Sequence, residues 1–141
     1  MDDISGPIPP QEAVLSWARA LYADSVDNKD AAGFAAAFTA RASLRFGNAE
    51  PIVGRDAIEA AIAQFFETFQ TLRHEDRGMR LAGDTLIMEA LVTYKRHDER
   101  VVSVPAVTIF HLARTAASDT GRLQADECRI YVDLAPLYAP A

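Results

Sequence analysis

The chain has 141 residues, of which 50% are hydrophobic and 24% are charged, and its formal net charge is -6. This length and balance predict a soluble globular protein with one substantial core. The acidic balance and the dispersed basic residues argue against nucleic acid as a partner, because binding to phosphates needs a basic surface.

The sequence also argues against a membrane partner and against export. Its apolar segments are shorter than a membrane span, and Met1-Asp2-Asp3 does not resemble the basic start of a signal peptide. Cys128 is the one cysteine and cannot form an internal disulfide, which is typical of a reducing compartment. The expected location is the cytoplasm.

Composition and turn residues divide the chain into a flexible N-terminal arm (residues 1–10), one domain (11–138) and a short tail (139–141). Within the domain, a helix is predicted from Pro10, a residue that suits a first helical turn, to Asp27. Its apolar positions recur at helical spacing and give one inward face.

Shorter elements are predicted after this helix. Asp30 is the expected N-cap of a short helix whose apolar side includes Phe38. Residues 42–48 alternate between apolar and polar side chains, which predicts a strand. Asp56 and Glu59 then have the spacing of a capping box at the start of a third helix.

The second half of the chain is predicted to form long antiparallel strands joined by turns. These strands cover residues 72–82, 85–96, 100–112 and 123–134, and a polar stretch, Ala116–Gly121, precedes the last of them. Helices followed by such strands predict an α+β fold with the helices on one face of the sheet.

The order of the elements and several short motifs resemble the SnoaL-like branch of the nuclear transport factor 2-like superfamily. The motifs that carry the resemblance are Asp27-Asn28-Lys29-Asp30, Phe46-Gly47-Asn48, Gly54-Arg55-Asp56-Ala57-Ile58, His74-Glu75 and Arg129-Ile130-Tyr131-Val132-Asp133-Leu134. The resemblance implies an α+β cone, in which a strongly curved mixed sheet wraps around a helix and encloses a deep pocket. It also implies a homodimer.

Strand alternation within this fold predicts an apolar pocket that binds a small apolar molecule. The residues expected at the substrate are Leu44, Phe46, Met88, Ala90, Val92, Tyr94, Ile130 and Val132, with Asn48 as a hydrogen-bonding group. Asn48 has an alternative role, since an asparagine before Pro51 also suits a turn.

Asp27 and His74 match, by place and spacing, a pair found in the dehydratases of this superfamily, the relatives of scytalone dehydratase. There an Asp at the end of the first helix orients a His on the following long strand. The resemblance implies that His74 abstracts a proton, that Asp27 holds its ring, and that Tyr22 polarises a carbonyl or leaving oxygen. It implies a cofactor-independent lyase or isomerase that acts on small apolar substrates, cyclic ones included.

Two better-known mechanisms of the superfamily are not expected, because apolar residues replace their catalytic groups. The positions of the Arg and the two Asp of limonene epoxide hydrolase are occupied by Ala90, Val92 and Ile130. The base of ketosteroid isomerase would fall on Phe46 and its acid near Val107, although Tyr22 matches its oxyanion-hole tyrosine.

Each candidate residue also has a structural interpretation. Asp27 suits the end of a helix, His74 can be a hydrogen-bonded strand residue, and Tyr22 can be a core tyrosine bonded to the backbone. The alternative function is therefore a non-catalytic ligand-binding or dimerisation module of the same fold. No metal site and no cofactor are predicted, because the histidines lack a second ligand at metal-binding spacing.

Overall fold

The computed structural model describes residues 8–113 and 122–141. Residues 1–7 of the predicted arm and the whole polar stretch Ala116–Gly121 lie outside the described residues. The elements of the described chain are α1 (Gln11–Ala20), a π-helical turn that continues it (Leu21–Val26), α2 (Ala31–Ala35), β1 (Phe38–Phe46), β2 (Ile52–Val53), α3 (Arg55–Phe66), β3 (Thr71–Ala82), β4 (Thr85–Lys95), β5 (Val101–Ala113), β6 (Gln124–Val132) and α4 (Ala135–Tyr138).

The strands form one mixed sheet in the order β2-β1-β6-β5-β4-β3. Neighbouring strands from β3 to β6 pair antiparallel, as predicted. β6 also pairs with β1 in parallel, with Leu44 opposite Cys128 and Phe46 opposite Ile130. The sheet of the described residues is not closed, since β2 and β3 are its two edges. The predicted α+β fold, with helices packed against a mixed sheet, is confirmed.

Alternation along the strands decides which side chains enter the core. The predicted inward residues of β4, from Leu86 to Tyr94, are at most 8% exposed, and the residues between them are more accessible. Phe38 is wholly buried and packs its ring against Phe34 and Phe110. Phe38 was predicted to lie in the short helix, and this prediction is wrong because Phe38 begins β1. The residue is buried in the core in either element, so its apolar character did not distinguish them.

The starts of the two later N-terminal helices test two capping predictions. Asp30 caps α2 by accepting the N–H of Gly33 at 3.0 Å, as predicted. The capping box of Asp56 and Glu59 is wrong, because the N-cap of α3 lies two residues before Asp56 and makes no side-chain cap. This N-cap is Gly54, whose φ of 101° is a conformation that glycine adopts without the steric cost of a Cβ atom.

Candidate active site

Asp27 and His74 meet where the end of the first helix lies against the edge strand β3. Oδ1 of Asp27 is 2.8 Å from Nδ1 of His74. The backbone N–H of His74 donates to the same carboxylate, at 3.2 Å from Oδ1 and 3.1 Å from Oδ2. The two side chains are only 17% and 20% exposed. One carboxylate therefore holds both the ring and the backbone of His74.

The hydrogen bond to Asp27 also determines which nitrogen of His74 is basic. An ionised carboxylate only accepts hydrogen bonds, so the neutral imidazole carries its hydrogen on Nδ1. Nε2 then presents its lone pair, and it has no hydrogen-bond partner among residues 8–113 and 122–141. An imidazole held in this way can accept a proton at Nε2, and the carboxylate stabilises the resulting imidazolium.

The π-helical turn sets the position of Asp27 relative to Tyr22. The N–H of Asp27 donates at 2.8 Å to the carbonyl of Tyr22, five residues earlier. Tyr22 and Asp27 thus lie one wide helical turn apart, whereas one turn of an α-helix takes only about 3.6 residues. Both side chains reach His74: the Tyr22 and His74 ring centroids are 4.6 Å apart. The wider turn brings the tyrosine and the carboxylate to one side of the helix.

Lys29 joins the loop after Asp27 to the segment that leads into β3. Its backbone is left-handed, with φ of 57°. Its Nζ donates to the carbonyls of Phe69 at 2.9 Å and Gln70 at 3.1 Å. These bonds fix the two chain segments that carry Asp27 and His74.

Tyr22 is a buried tyrosine, 7% exposed. Burial is the largest cause that raises the pKa of its hydroxyl, and Cys128 adds to it, whereas a side-chain hydrogen bond with Thr108 acts in the opposite direction. The net shift is far upward, so the hydroxyl stays protonated at neutral pH. Tyr22 can therefore donate a hydrogen bond to an oxygen and is not a base.

A mostly apolar cavity of about 50 Å³ adjoins these groups, and Tyr22, His74, Tyr94 and Thr108 supply the polar groups of its wall. A second cavity, of about 180 Å³, shares Tyr22 and His74 with the first and is also bordered by Asp27. One water-sized probe needs roughly 10–15 Å³, so the first cavity takes a small group unless its side chains move. The imidazole is accessible from both cavities.

The profile of the SnoaL-like domain family matches residues 18–116, which is more than half of the chain. The chain belongs to the SnoaL-like domain family.

Solved structures share the fold of this SnoaL-like protein. A putative SnoaL-like polyketide cyclase from Jannaschia sp. CCS1 has a TM-score of 0.72 at 22% identity, covering 100% of this chain and 99% of its own. ActVI-ORFA from Streptomyces coelicolor has a TM-score of 0.71 at 24% identity, covering 85% and 94%. A ketosteroid isomerase-like protein from Erwinia carotovora atroseptica has a TM-score of 0.66 at 19% identity, covering 89% and 98%. At such identities the likeness concerns the fold alone. No curated protein matches the sequence significantly.

The predicted substrate-binding residues of the SnoaL-like protein are divided among four places. The central cavity is lined by Phe46, Val92, Tyr94, Ile130 and Val132. The second cavity is lined by Met88 and Ala90. Leu44 is wholly buried in the core, and Asn48 borders a groove that shares Ile130 and Val132 with the central cavity. Their roles in binding stay predictions.

Thr108 is a polar residue of the cavity that the strand predictions missed. It is 7% exposed and lies on the inward face of β5, between Ala106 and Phe110 in the alternation. The signal was present in the sequence, because Thr108 is the one hydroxyl in an otherwise apolar set of alternate residues from Val104 to Leu112. Lys29 gave no comparable signal, since its partners are backbone carbonyls.

The groups available for chemistry at this site are a carboxylate, an imidazole and three hydroxyls, from Asp27, His74, Tyr22, Tyr94 and Thr108. Among the described residues, no three His, Cys, Asp or Glu side chains are placed to hold a metal ion. No helix within residues 8–113 and 122–141 has the length and apolar character needed to cross a membrane.

Proposed function

We propose that this SnoaL-like protein is a cofactor-independent lyase or isomerase that removes a proton from a carbon next to a carbonyl group. The observation that carries the proposal is the 2.8 Å hydrogen bond between Asp27 and His74 beside a mostly apolar cavity. A general base needs a fixed tautomer and a protected site, and these residues provide both.

The proposed reaction begins when Nε2 of His74 takes the proton and the electron pair of the C–H bond moves to the carbonyl oxygen. Asp27 stabilises the imidazolium through Nδ1. Tyr22, whose pKa is raised by burial, donates a hydrogen bond to the enolate oxygen. In an isomerisation the imidazolium returns the proton to another carbon. In an elimination the enolate expels a hydroxyl group, which takes that proton and leaves as water.

The cavity supports a small, largely apolar substrate. Its wall is built mainly from aromatic and aliphatic side chains and has few polar groups, so a charged substrate would lose its hydration without compensation. The structural relatives described as a putative polyketide cyclase and as ketosteroid isomerase-like support chemistry of this class. The substrate expected here carries a carbonyl and, for elimination, a hydroxyl group two carbons away from it, on an otherwise hydrocarbon skeleton.

A second candidate function is the binding of a small apolar molecule without reaction. It is favoured by the second role of Asp27, which bonds the backbone N–H of His74 as well as the ring. A carboxylate that ties a helix end to an edge strand needs no catalytic reason to be there. The apolar residues Ala90, Val92 and Ile130, at the positions of the Arg and the two Asp of a related hydrolase, favour it too.

Two small probes separate the possibilities. Cyclohex-3-enone gives conjugated cyclohex-2-enone by isomerisation, and 3-hydroxycyclohexanone gives the same ultraviolet-absorbing product by loss of water. We expect turnover of at least one, and a loss of kcat/KM of about 10²- to 10⁴-fold in His74→Gln, the range contributed by a general base. The matched control is His111→Gln, which removes a histidine that also contacts carboxylates but lies outside both cavities.

The outcomes are distinct. Equal turnover in His74→Gln and wild type would exclude His74 as the base. Saturable binding of cyclohex-2-enone with no conversion of either probe would favour the binding module.

A further inference from the structure

A groove of about 430 Å³ lies where β1 and β6 end side by side. It is bordered by Arg45 and Arg129, by Gly47 and Asn48 of the turn after β1, and by Tyr131. The groove also includes Ile130 and Val132, which line the central cavity, whereas the five residues named first line neither cavity of the candidate active site. These five residues therefore need their own explanation.

The two arginines are direct neighbours in the sheet, since Arg45 is opposite Arg129 in the parallel register. The residues that precede them, Leu44 and Cys128, are wholly buried. Alternation thus directs both guanidinium groups to the outer face of the sheet. Like charges placed directly opposite one another on adjacent strands repel.

Among the described residues, no acidic side chain lies close enough to form an ion pair that would relieve this repulsion. Neither the side chain of Arg45 nor that of Arg129 forms a hydrogen bond or an ion pair within 4.0 Å with any of the residues that the structure describes. Glu127 lies on the same face, two residues before Arg129, and still makes no ion pair with it at that distance. The formal net charge of the chain is -6. The two neighbouring arginines are therefore a local positive patch on a protein that is acidic as a whole.

Arg129 also has an unpaired buried donor among the described residues. Its Nε is buried and is the one buried side-chain nitrogen or oxygen in the described chain without a hydrogen-bond partner. Buried donors are normally paired, because leaving one unpaired costs its lost hydration. A guanidinium offers several N–H groups in one plane, which fit the oxygens of a carboxylate or phosphate in pairs.

We propose that this groove binds the oxyanion group, a carboxylate or a phosphate, of a small molecule. Arg129 and Arg45 share the oxyanion and neutralise its charge. The amide of Asn48 and the hydroxyl of Tyr131, which is 52% exposed, donate to the remaining oxygens. The volume lies within the range of small-molecule sites and leaves room for the rest of the ligand. The site does not depend on the proposed function.

Titration calorimetry with inorganic phosphate and with succinate tests the site on the full chain. We expect saturable binding of at least one anion to wild type, and affinity at least about tenfold weaker in Arg129→Gln and in Arg45→Gln, since each loses a charge-assisted contact. Arg129→Lys keeps the charge without the planar donors, so we expect an intermediate loss. The matched control is Arg80→Gln, an exposed arginine of β3 without a partner among the described residues.

A second measurement does not depend on variants that fold. The Nε–H resonance of Arg129 should shift on addition of the anion that binds, and that of Arg80 should not. The proposal is overturned if neither anion binds wild type saturably, or if Arg80→Gln weakens binding as much as Arg129→Gln does. It is also overturned if no free anion binds and sedimentation shows that Arg129→Gln disrupts a dimer, because the oxyanion is then a carboxylate of a second copy.

Discussion

Replacing Asp27 by asparagine is the most direct test of how the candidate site is held together. The carboxylate accepts from Nδ1 of His74 at 2.8 Å and from its backbone N–H at 3.1 Å. An asparagine of the same shape replaces one of the two acceptor oxygens with an NH₂ group, which then faces either the backbone N–H or the imidazole of His74 as a second donor. If its NH₂ group faces the ring, the imidazole hydrogen must move to Nε2, and the basic lone pair no longer faces the substrate.

The size of the effect follows from the contacts. A hydrogen bond to a charged group contributes about 1.5–3 kcal/mol, and the pair is only 17% and 20% exposed, so water screens it little. Loss of one such bond in Asp27→Asn should lower the free energy of unfolding by about 1.5–3 kcal/mol. Domains of this kind are typically stable by about 5–15 kcal/mol, so the variant should still fold.

Two measurements check this prediction. Urea denaturation gives the change in unfolding free energy, and ¹⁵N spectroscopy of the imidazole shows which ring nitrogen carries the hydrogen. The control is Asp24→Asn, an exposed carboxylate of the same helical turn without a side-chain partner among the described residues, for which a change within about 0.5 kcal/mol is expected. Wild-type stability in Asp27→Asn, with the hydrogen still on Nδ1, would refute the reasoning.

Three further changes have defined outcomes. Lys29→Met removes the ammonium group that donates to two carbonyls before β3 and should lower the unfolding free energy by about 1.5–3 kcal/mol. The control is Lys95→Met, which removes an exposed ion pair, and an equal loss in the two variants would contradict the prediction. The pKa of His111 is raised chiefly by its hydrogen bond with Asp126. The stability that protonated His111 adds to the folded state is therefore complete below pH ~6.5 and is lost as pH rises through the higher folded-state pKa. The unfolding free energy of wild type minus that of His111→Gln should fall over this window, by less than about 1 kcal/mol because the site is half exposed; a difference independent of pH would disprove the assignment. Gly54→Ala places a Cβ at φ of 101° and should lower the unfolding free energy by about 1–3 kcal/mol. An unchanged urea midpoint would mean that the turn adjusts freely.

The long elements could be predicted because each carries a strong local pattern. Apolar residues alternate along β4 from Leu86 to Tyr94, and all of them are buried. The first helix likewise has apolar positions at helical spacing, and Val14 and Ala18 are wholly buried. The proximity of Asp27 and His74 came from the family resemblance, since no local pattern links residues 47 positions apart.

Other features depend on contacts or competing signals that the sequence does not rank. The parallel pairing of β1 with β6 joins residues 84 positions apart, such as Arg45 and Arg129, and leaves no local trace. The π-helical turn before Asp27 arises from a shift of hydrogen bonds rather than from a particular composition. At α3 two start signals compete, and Gly54 takes the cap position, which places Asp56 inside the helix. Asn48 belongs to the turn after β1 and faces the outer groove, a direction that strand alternation does not define beyond the end of a strand.

The contact between Asp27 and the backbone of His74 also affects how the protein behaves in concentrated solution. β3 is an edge of the sheet, and the free N–H groups of an edge strand can pair with a strand of another molecule. Asp27 occupies the N–H of His74, and the register shift between Asp76 and Gly78 interrupts the edge further along. The carboxylate that holds the imidazole thus also blocks strand pairing between molecules at this edge. A variant that loses the carboxylate should precipitate more readily during refolding.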